Sequence, residues 1–104
     1  MPRQFDLVEN LNPVARLHYP YLVVLQHDRV SSVVDIVVAP LVRPSSRHAR
    51  TRLHPTVDVT GETFVIFIED LAAVPRHTLG RVVGNAEDSR YEIVGALDLL
   101  FTGI

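Results

Sequence analysis

Short apolar segments, separated by polar and turn-forming residues, occupy the first three quarters of the chain. Valine and isoleucine are frequent in these segments, and both residue types favour strands. The predicted strands are Phe5–Val8, Tyr21–Gln26, Val33–Val38, Thr56–Val59 and Phe64–Ile68. The alternation of apolar and polar positions is imperfect, which indicates strands that are buried on both faces or strongly bent. No helical segment separates the strands, so we expect antiparallel pairing, because parallel strands need long crossovers.

Turn-forming residues mark where these strands end. The segment Thr60-Gly61-Glu62-Thr63 has the length and the glycine of a hairpin turn. Pro40 is expected to stop the third strand, and the segment from Pro75 to Gly84 is expected to be a connection. Asp70 could cap a short helical turn that begins at Leu71.

The pattern changes to a helical one near residue 85. Apolar residues at helical spacing predict a helix over about residues 85–102 with one apolar face. That face consists of Ile93, Leu97, Leu100 and Phe101. Asn85 or Asp88 can cap its start, and Gly103 is placed to end it. The fold class predicted from the pattern is therefore mainly β with one C-terminal α-helix, in a single domain over residues 1–104.

Composition excludes several classes of function. The net charge of −2 argues against general nucleic-acid binding, because phosphate binding needs clustered positive charge. All ten basic residues are arginine. The chain has no cysteine, so it has neither disulfides nor thiolate chemistry. The first residues lack the apolar core of a signal peptide, and the apolar runs are far too short to span a membrane. A cytoplasmic protein is the expectation.

The sequence shows no convincing catalytic or metal-binding pattern. The histidines are His18, His27, His48, His54 and His77, and none stands at zinc-ligand spacing. The neighbouring pairs His27-Asp28 and Glu69-Asp70 would point to opposite faces of a strand, so neither forms an acid–base pair by spacing alone. We therefore expect no cofactor and no enzymatic activity.

Two surface features stand out. The segment 43–53 contains Arg43, Arg47, Arg50 and Arg52, and is expected to be an exposed loop or wing. It is either a landing site for an acidic partner or a solvated loop. The last residues, 99–104, are mostly apolar, which is unusual for a chain end. They either pack into a core or a dimer partner, or form a binding surface.

Several segments together resemble the CcdB toxin family. They keep their order and nearly their spacing along the whole chain. The segments are Gln4-Phe5, Tyr21–Asp28, Val38-Ala39-Pro40-Leu41, Leu53–Val59, Leu71–Pro75 and Ala96–Ile104. The resemblance implies an SH3-like, five-stranded antiparallel sheet with a small inserted wing and a C-terminal helix.

The resemblance also implies a function. A protein of this family is a homodimeric toxin that binds the A subunit of DNA gyrase and traps the enzyme on cleaved DNA, and a CcdA-like antitoxin neutralises it. Carried over position by position, the gyrase-binding residues are Arg29, Val30, Asp98, Phe101, Thr102, Gly103 and Ile104. The wing arginines Arg43, Arg47 and Arg50 are the expected antitoxin-binding residues. The family's best-known member has a tryptophan at the position of Thr102, an isoleucine at that of Arg29 and an asparagine at that of Asp98.

Two other functions fit the sequence. One is a family member that binds antitoxin and no longer poisons gyrase. The other is an endoribonuclease toxin of the MazF/Kid kind, which shares the SH3-like fold, because a fold does not fix a function. The endoribonuclease needs a basic RNA groove and a positioned acid–base pair. The arginine segment could supply the groove, but the sequence shows no such pair.

Overall fold

A computed structural model describes residues 2–30, 34–45 and 51–104 of the chain. Its regular elements are seven strands and one α-helix. The strands are β1 (Asp6–Asn10), β2 (Tyr21–Val24), β3 (Asp35–Val42), β4 (Thr56–Val59), β5 (Glu62–Ile66), β6 (Ala72–Pro75) and β7 (Leu79–Asn85). The helix α1 spans Arg90–Thr102, and four short 3₁₀ turns lie between these elements.

All strand pairs are antiparallel, in the order β4-β5-β3-β2-β1-β7. The long strand β3 has two partners on one side, because Leu41 and Val42 pair with β5 whereas residues 35–38 pair with β6. The sheet is therefore open and strongly curled, a half-barrel of SH3-like general form. The predicted fold class is confirmed, although the described sheet has seven strands where five were expected.

Both faces of the central strands are buried. In the register, Leu7 lies opposite Val23, and Val23 opposite Ala39, and all three belong to the main core under α1. The alternate residues Val8, Leu22, Val24 and Val38 form a second, smaller core on the other face. This explains the imperfect alternation in the sequence, since a strand covered on both sides has no polar face.

The hairpin between β4 and β5 is tighter than predicted. Val59 pairs directly with Glu62, so the loop is only Thr60-Gly61, and both residues have positive φ, of 50° and 86°. Two consecutive positive φ values are those of a type I′ turn, whose twist matches that of the flanking strands.

Three other predictions from the pattern are wrong. Strand β3 continues through Pro40 to Val42, because Pro40 lacks only the backbone donor and its carbonyl accepts from Phe67 at 3.0 Å. The predicted connection from Pro75 to Gly84 contains most of β7. The predicted helical turn beyond Asp70 is strand β6, and the 3₁₀ turn comes earlier, at Ile68–Asp70.

The helix begins later than predicted. A 3₁₀ turn, Glu87–Ser89, leads into α1, and the side-chain oxygen of Asn85 accepts from the backbone N–H of Glu87 in this turn at 2.7 Å. Asp88 does not cap the helix, whose N-cap residue is Ser89. Gly103 ends α1 as predicted, with φ of 75° and its N–H donating to the Leu99 carbonyl at 3.0 Å.

Candidate protein-binding site

The outer face of α1 is exposed and carries three large apolar side chains beside a carboxylate. The inner face buries Ile93 and Ala96 in the main core, and Leu97 and Leu100 pack against that core. Phe101 was expected on this inner face but is 70% exposed. It lies with Tyr91, Val94 and Asp98 on an exposed stripe that runs the length of the helix; we call these four residues the outer stripe.

The end of α1 contacts the base of the predicted wing. The hydroxyl of Thr102 donates to the Asp98 carbonyl at 2.6 Å, and the Arg52 guanidinium donates to the Ile104 carbonyl at 2.8 Å. The side chain of Ile104 is 80% exposed. Arg52 therefore fixes the backbone here and leaves the apolar side chain of Ile104 free to contact a partner.

A groove of about 640 Å³ lies between α1 and the 51–55 segment. One wall carries Tyr91, Val94 and Asp98, and the other carries Thr51 and Arg52. The walls combine apolar surface with a few polar groups, the composition that protein-binding and ligand-binding clefts share.

The turn that contains Arg29 and Val30 is held by hydrogen bonds to its own residues. The N–H of Arg29 donates to Nδ1 of His27 at 3.0 Å, and the amide of Gln26 donates to the Val30 carbonyl. The side chain of Val30 is 63% exposed. Arg29 and Val30 are thus presented on an ordered turn.

Asp28 anchors this turn to the start of the chain. Its carboxylate accepts from the backbone N–H of Gln4 at 2.8 Å and from Arg3 at 3.3 Å. The Gln4 hydrogen bond, and to a smaller extent the Arg3 charge, lower the pKa of Asp28 below its ordinary value.

The structure does not bring all the predicted gyrase-binding residues together within one chain. The turn next to Arg29 shares a cleft with Arg90, at the start of α1. Phe101 to Ile104 lie at the other end, on the order of 20 Å away at 1.5 Å per helical residue. The outer stripe connects the two ends. Tyr91 and Val94 also lie on the outer stripe, and the sequence analysis did not predict this. Their helical spacing from Asp98 and Phe101 is the signal that could have placed all four residues on one face.

The predicted antitoxin-binding arginines are only partly described. Arg43 is exposed, forms an ion pair with Glu62 at 3.1 Å and lies over the Phe64 ring at 5.4 Å from its centroid. Arg43 thus packs against β5. Arg47 and Arg50 lie outside the described residues.

A close histidine–carboxylate pair was not predicted from the sequence. Nε2 of His54 lies 2.7 Å from Oε2 of Glu69, Nδ1 lies 3.5 Å from the Thr51 hydroxyl, and the ring stacks on Phe67 at 4.6 Å. Fifteen residues separate His54 from Glu69, so no local motif shows them. The pair joins the base of the predicted wing to the 3₁₀ turn Ile68–Asp70.

The described ranges contain no cluster of three or more side chains suited to a metal ion. In the same part of the chain, no helix has both the length and the hydropathy of a membrane span.

In the described residues, a curled antiparallel sheet packed against one C-terminal helix defines a small, mainly β domain of SH3-like general form. The profile of the family described as "CcdB protein" matches residues 4–103. The chain belongs to the CcdB family and is, by that membership, a toxin.

Solved structures agree on the fold. The chain is similar to an endoribonuclease in complex with its cognate antitoxin from Mycobacterial species, with a TM-score of 0.75, 11% identity, and coverage of 96% of this chain and 94% of that one. It is also similar to an Mtb toxin, with a TM-score of 0.68, 19% identity, and coverage of 81% and 97%. A search of curated proteins finds no significant match.

Proposed function

We propose that this protein is the toxin of a toxin–antitoxin pair, and that it binds the A subunit of DNA gyrase and traps the enzyme on cleaved DNA. The observation that carries the proposal is the outer stripe of α1 together with Ile104. Tyr91 and Phe101 expose 88% and 70% of their surface on a rigid helix, where burial against a partner is favourable. Family membership supports gyrase as that partner.

On this proposal the protein acts by binding and not by chemistry of its own. A ligand that prefers one conformation of an enzyme shifts the population toward it. The toxin would bind best to gyrase whose DNA is cut, and so prolong that state.

Gyrase trapping by purified variants tests the proposal. Wild-type protein, gyrase, DNA and ATP should accumulate covalent cleavage complexes. Phe101→Ser should reduce trapping about tenfold or more, because interface energy concentrates in a few aromatic anchors. Val82→Thr is the control: Val82 is 48% exposed on β7, outside the proposed surface, and threonine is a good strand residue. Absence of trapping by the wild type, or equal trapping by Phe101→Ser, would contradict the proposal.

Thr102 offers a gain-of-function test. Its hydroxyl donates back to the Asp98 carbonyl, and its position is that of the family's tryptophan. If an arginine of gyrase faces this position, Thr102→Trp should make the free energy of binding to gyrase more favourable by up to about 1–2 kcal/mol, because cation–π contacts contribute on that scale. Trapping should then occur at a lower toxin concentration. Dose–response curves for trapping measure the change.

We further propose that the protein is a homodimer. A two-fold dimer presents two copies of each surface, which suits a partner that is itself two-fold symmetric. Sedimentation at micromolar concentration should give twice the 11.6 kDa chain mass. A monomer at that concentration would contradict this proposal.

A CcdA-like antitoxin is the proposed second partner. The endoribonuclease of similar fold is seen with its cognate antitoxin. Antitoxins that fold as they bind can wrap a large surface of their target. If the protein bound its antitoxin but did not trap gyrase on cleaved DNA, it would be a non-poisoning homologue. The trapping assay therefore distinguishes a gyrase poison from such a homologue.

One observation favours an endoribonuclease as the second candidate function. His54 and Glu69 form an acid–base pair that the sequence pattern does not reveal, beside Thr51 and the groove. Against it, both ring nitrogens of His54 are engaged and only 14% of its side chain is exposed. Cleavage of single-stranded RNA by the wild type, abolished in His54→Gln, would establish this function in place of the first.

A further inference from the structure

Residues 51–54 form a tight turn at the base of the predicted wing. The N–H of His54 donates to the Thr51 carbonyl at 3.1 Å, and the Thr51 hydroxyl accepts from the N–H of Leu53 at 3.1 Å. A threonine hydroxyl that bonds to the backbone two residues on fixes a turn locally. Arg52 is the second residue of this turn, so its side chain starts from a backbone that is held on both sides.

The His54 side chain joins this turn to the 3₁₀ turn Ile68–Asp70. Its Nε2 lies 2.7 Å from Oε2 of Glu69, and because a carboxylate oxygen only accepts, Nε2 carries a proton. In the neutral ring Nδ1 is then an acceptor, and it lies 3.5 Å from the Thr51 hydroxyl. This hydroxyl can therefore accept from Leu53 and donate to His54 at the same time.

Packing and a backbone hydrogen bond support the same contact. The His54 ring stacks on Phe67 with 4.6 Å between centroids and 19° between planes, and only 14% of the His54 side chain is exposed. The N–H of Ile68 donates to the Leu53 carbonyl at 3.4 Å. A hydrogen bond to a charged group that is partly shielded from water is stronger than one in open solvent. The place of the 51–54 turn is thus fixed by its contacts with the 67–69 segment.

Arg52 connects the turn to the end of α1. Its guanidinium donates to the Ile104 carbonyl at 2.8 Å, although 52 positions separate the two residues in the chain. Ile104 lies beyond Thr102, the last helical residue, and its side chain remains 80% exposed. A side chain that is presented on a fixed backbone loses less freedom when a partner covers it, so binding is tighter.

The geometry favours positioning over chemistry for the pair of His54 and Glu69. Both ring nitrogens of His54 have partners, whereas a general base needs a nitrogen within hydrogen-bond reach of the substrate. Arg52, in contrast, is exposed and lines the groove beside α1 together with Ile104. The pair can therefore influence the surface through Arg52 without being part of it.

We propose that His54 and Glu69 are positioning residues for gyrase binding, which act through Arg52 to hold Ile104 in the orientation that the partner requires. This inference rests on the proposed binding of gyrase. It gives a role to three residues that the resemblance to the family does not place on the gyrase-binding surface, and none of the three has to contact gyrase to fulfil it.

Order at the end of α1 can be measured without gyrase. In the full-length protein, ¹⁵N relaxation reports the fast motion of the Ile104 N–H. Arg52→Met keeps the length of the side chain and removes the donor, so the order parameter of Ile104 should fall from about 0.85, as in a rigid backbone, to below about 0.6. Arg52→Lys keeps a cationic donor and should restore most of the order. Arg81→Met is the matched control, because Arg81 pairs with Glu9 at 3.8 Å on β7, outside the proposed surface.

Gyrase trapping gives the functional result. Arg52→Met should raise the toxin concentration for half-maximal trapping about three- to tenfold, because a segment that is ordered only on binding costs affinity on that scale. Arg52→Lys should recover most of this loss, and Arg81→Met should behave as the wild type.

A double mutant tests whether His54 acts through Arg52. His54→Phe keeps a ring that can stack on Phe67 and removes both side-chain hydrogen bonds, so it should weaken trapping about two- to fivefold. In the Arg52→Met background it should have no further effect, because two changes that break one contact are not additive. Circular dichroism confirms that each variant is folded, and the exposed Arg52 variants test the inference even if His54→Phe does not fold.

Each contrary result excludes a different step. An unchanged order parameter in Arg52→Met would show that Arg52 does not hold Ile104. Reduced order with unchanged trapping would show that gyrase does not need a fixed Ile104. Additive losses in the double mutant would show that His54 acts independently of Arg52. Absence of trapping by the wild type would exclude the proposed function, and with it a role in gyrase binding, whereas the relaxation data would still report the contact of Arg52 with Ile104.

Discussion

The inner and outer faces of α1 are similar in chemistry and opposite in burial. Ile93 and Ala96 on the inner face are 0% and 1% exposed, whereas Tyr91 and Phe101 on the outer face are 88% and 70% exposed. The inner side chains stabilise the fold because they leave water when the chain folds. The outer ones gain nothing from folding, so their apolar surface is available for a partner. We therefore expect stability and binding to depend on different faces of one helix.

The largest effect on folding is expected at Ile93. Ile93→Ala should lower the free energy of unfolding by about 2–5 kcal/mol, because it removes buried methyl groups and leaves a cavity between α1 and the sheet. Urea denaturation measures the loss. A change below about 0.5 kcal/mol would mean that the inner face does not hold the helix.

A substitution that adds volume to the inner face tests the same packing, whereas Ile93→Ala removes volume. Ala96 is fully enclosed by the main core, so Ala96→Leu should destabilise the protein by about 1–3 kcal/mol through displaced neighbours. The same urea titration reports it. A neutral result would show that the helix can shift on the sheet, and the sharp contrast between the two faces would then be lost.

Gly95 lies at the border between the inner and outer faces of α1, so a substitution there can change stability and binding in different directions. A Cβ added there would meet no atom within 4 Å. Gly95→Ala should therefore stabilise the protein by about 0.5–1 kcal/mol, because alanine favours the helix over glycine. Thermal unfolding measures the gain. Gly95 also lines the groove beside α1, so a loss of gyrase trapping in this more stable variant would show that the groove must stay open.

The smallest effect on folding is expected on the outer face. Phe101→Ser should change the free energy of unfolding by no more than about 0.5 kcal/mol, since exposed side chains contribute little. Deletion of Thr102, Gly103 and Ile104 also removes the Gly103 cap and the Arg52 hydrogen bond to Ile104, so it should cost about 0.5–1.5 kcal/mol. Both changes should nonetheless abolish most gyrase trapping. A large loss of stability in either variant would show that this end of the helix belongs to the core.

Periodicity predicted the elements better than their ends. The order of strands and helix follows from β-branched segments, turn residues and one stretch of helical spacing, and Gly103 ends α1 as its freedom at positive φ predicts. Strand β7 was missed because Gly80 and Gly84 favour a loop locally. Gly80 in fact permits a close approach: an added Cβ would lie 2.9 Å from the Leu11 side chain and 3.0 Å from that of Glu9. Such a contact is visible only once β1 and β7 are paired.

In the candidate site too, the sequence predicted part of the surface and the tertiary structure decided the rest. The apolar residues at the end of α1 were recognised from the sequence, but helical spacing alone placed Phe101 on the inner face. Only the position of α1 on the sheet decides which of its two apolar stripes is buried. For that reason the candidate site includes Tyr91 and Val94. The turn with Arg29 and Val30 lies near the start of α1, whereas Phe101 lies at its other end.

The sequence alone determined the fold class, the family and the positions that carry apolar side chains, because these depend on local preferences and on order along the chain. The tertiary structure decided which apolar side chains meet water, and it brought together residues far apart in the chain, such as His54 with Glu69 and Arg52 with Ile104. Burial and long-range pairing are properties of the packed chain, since a side chain loses water only when another element covers it.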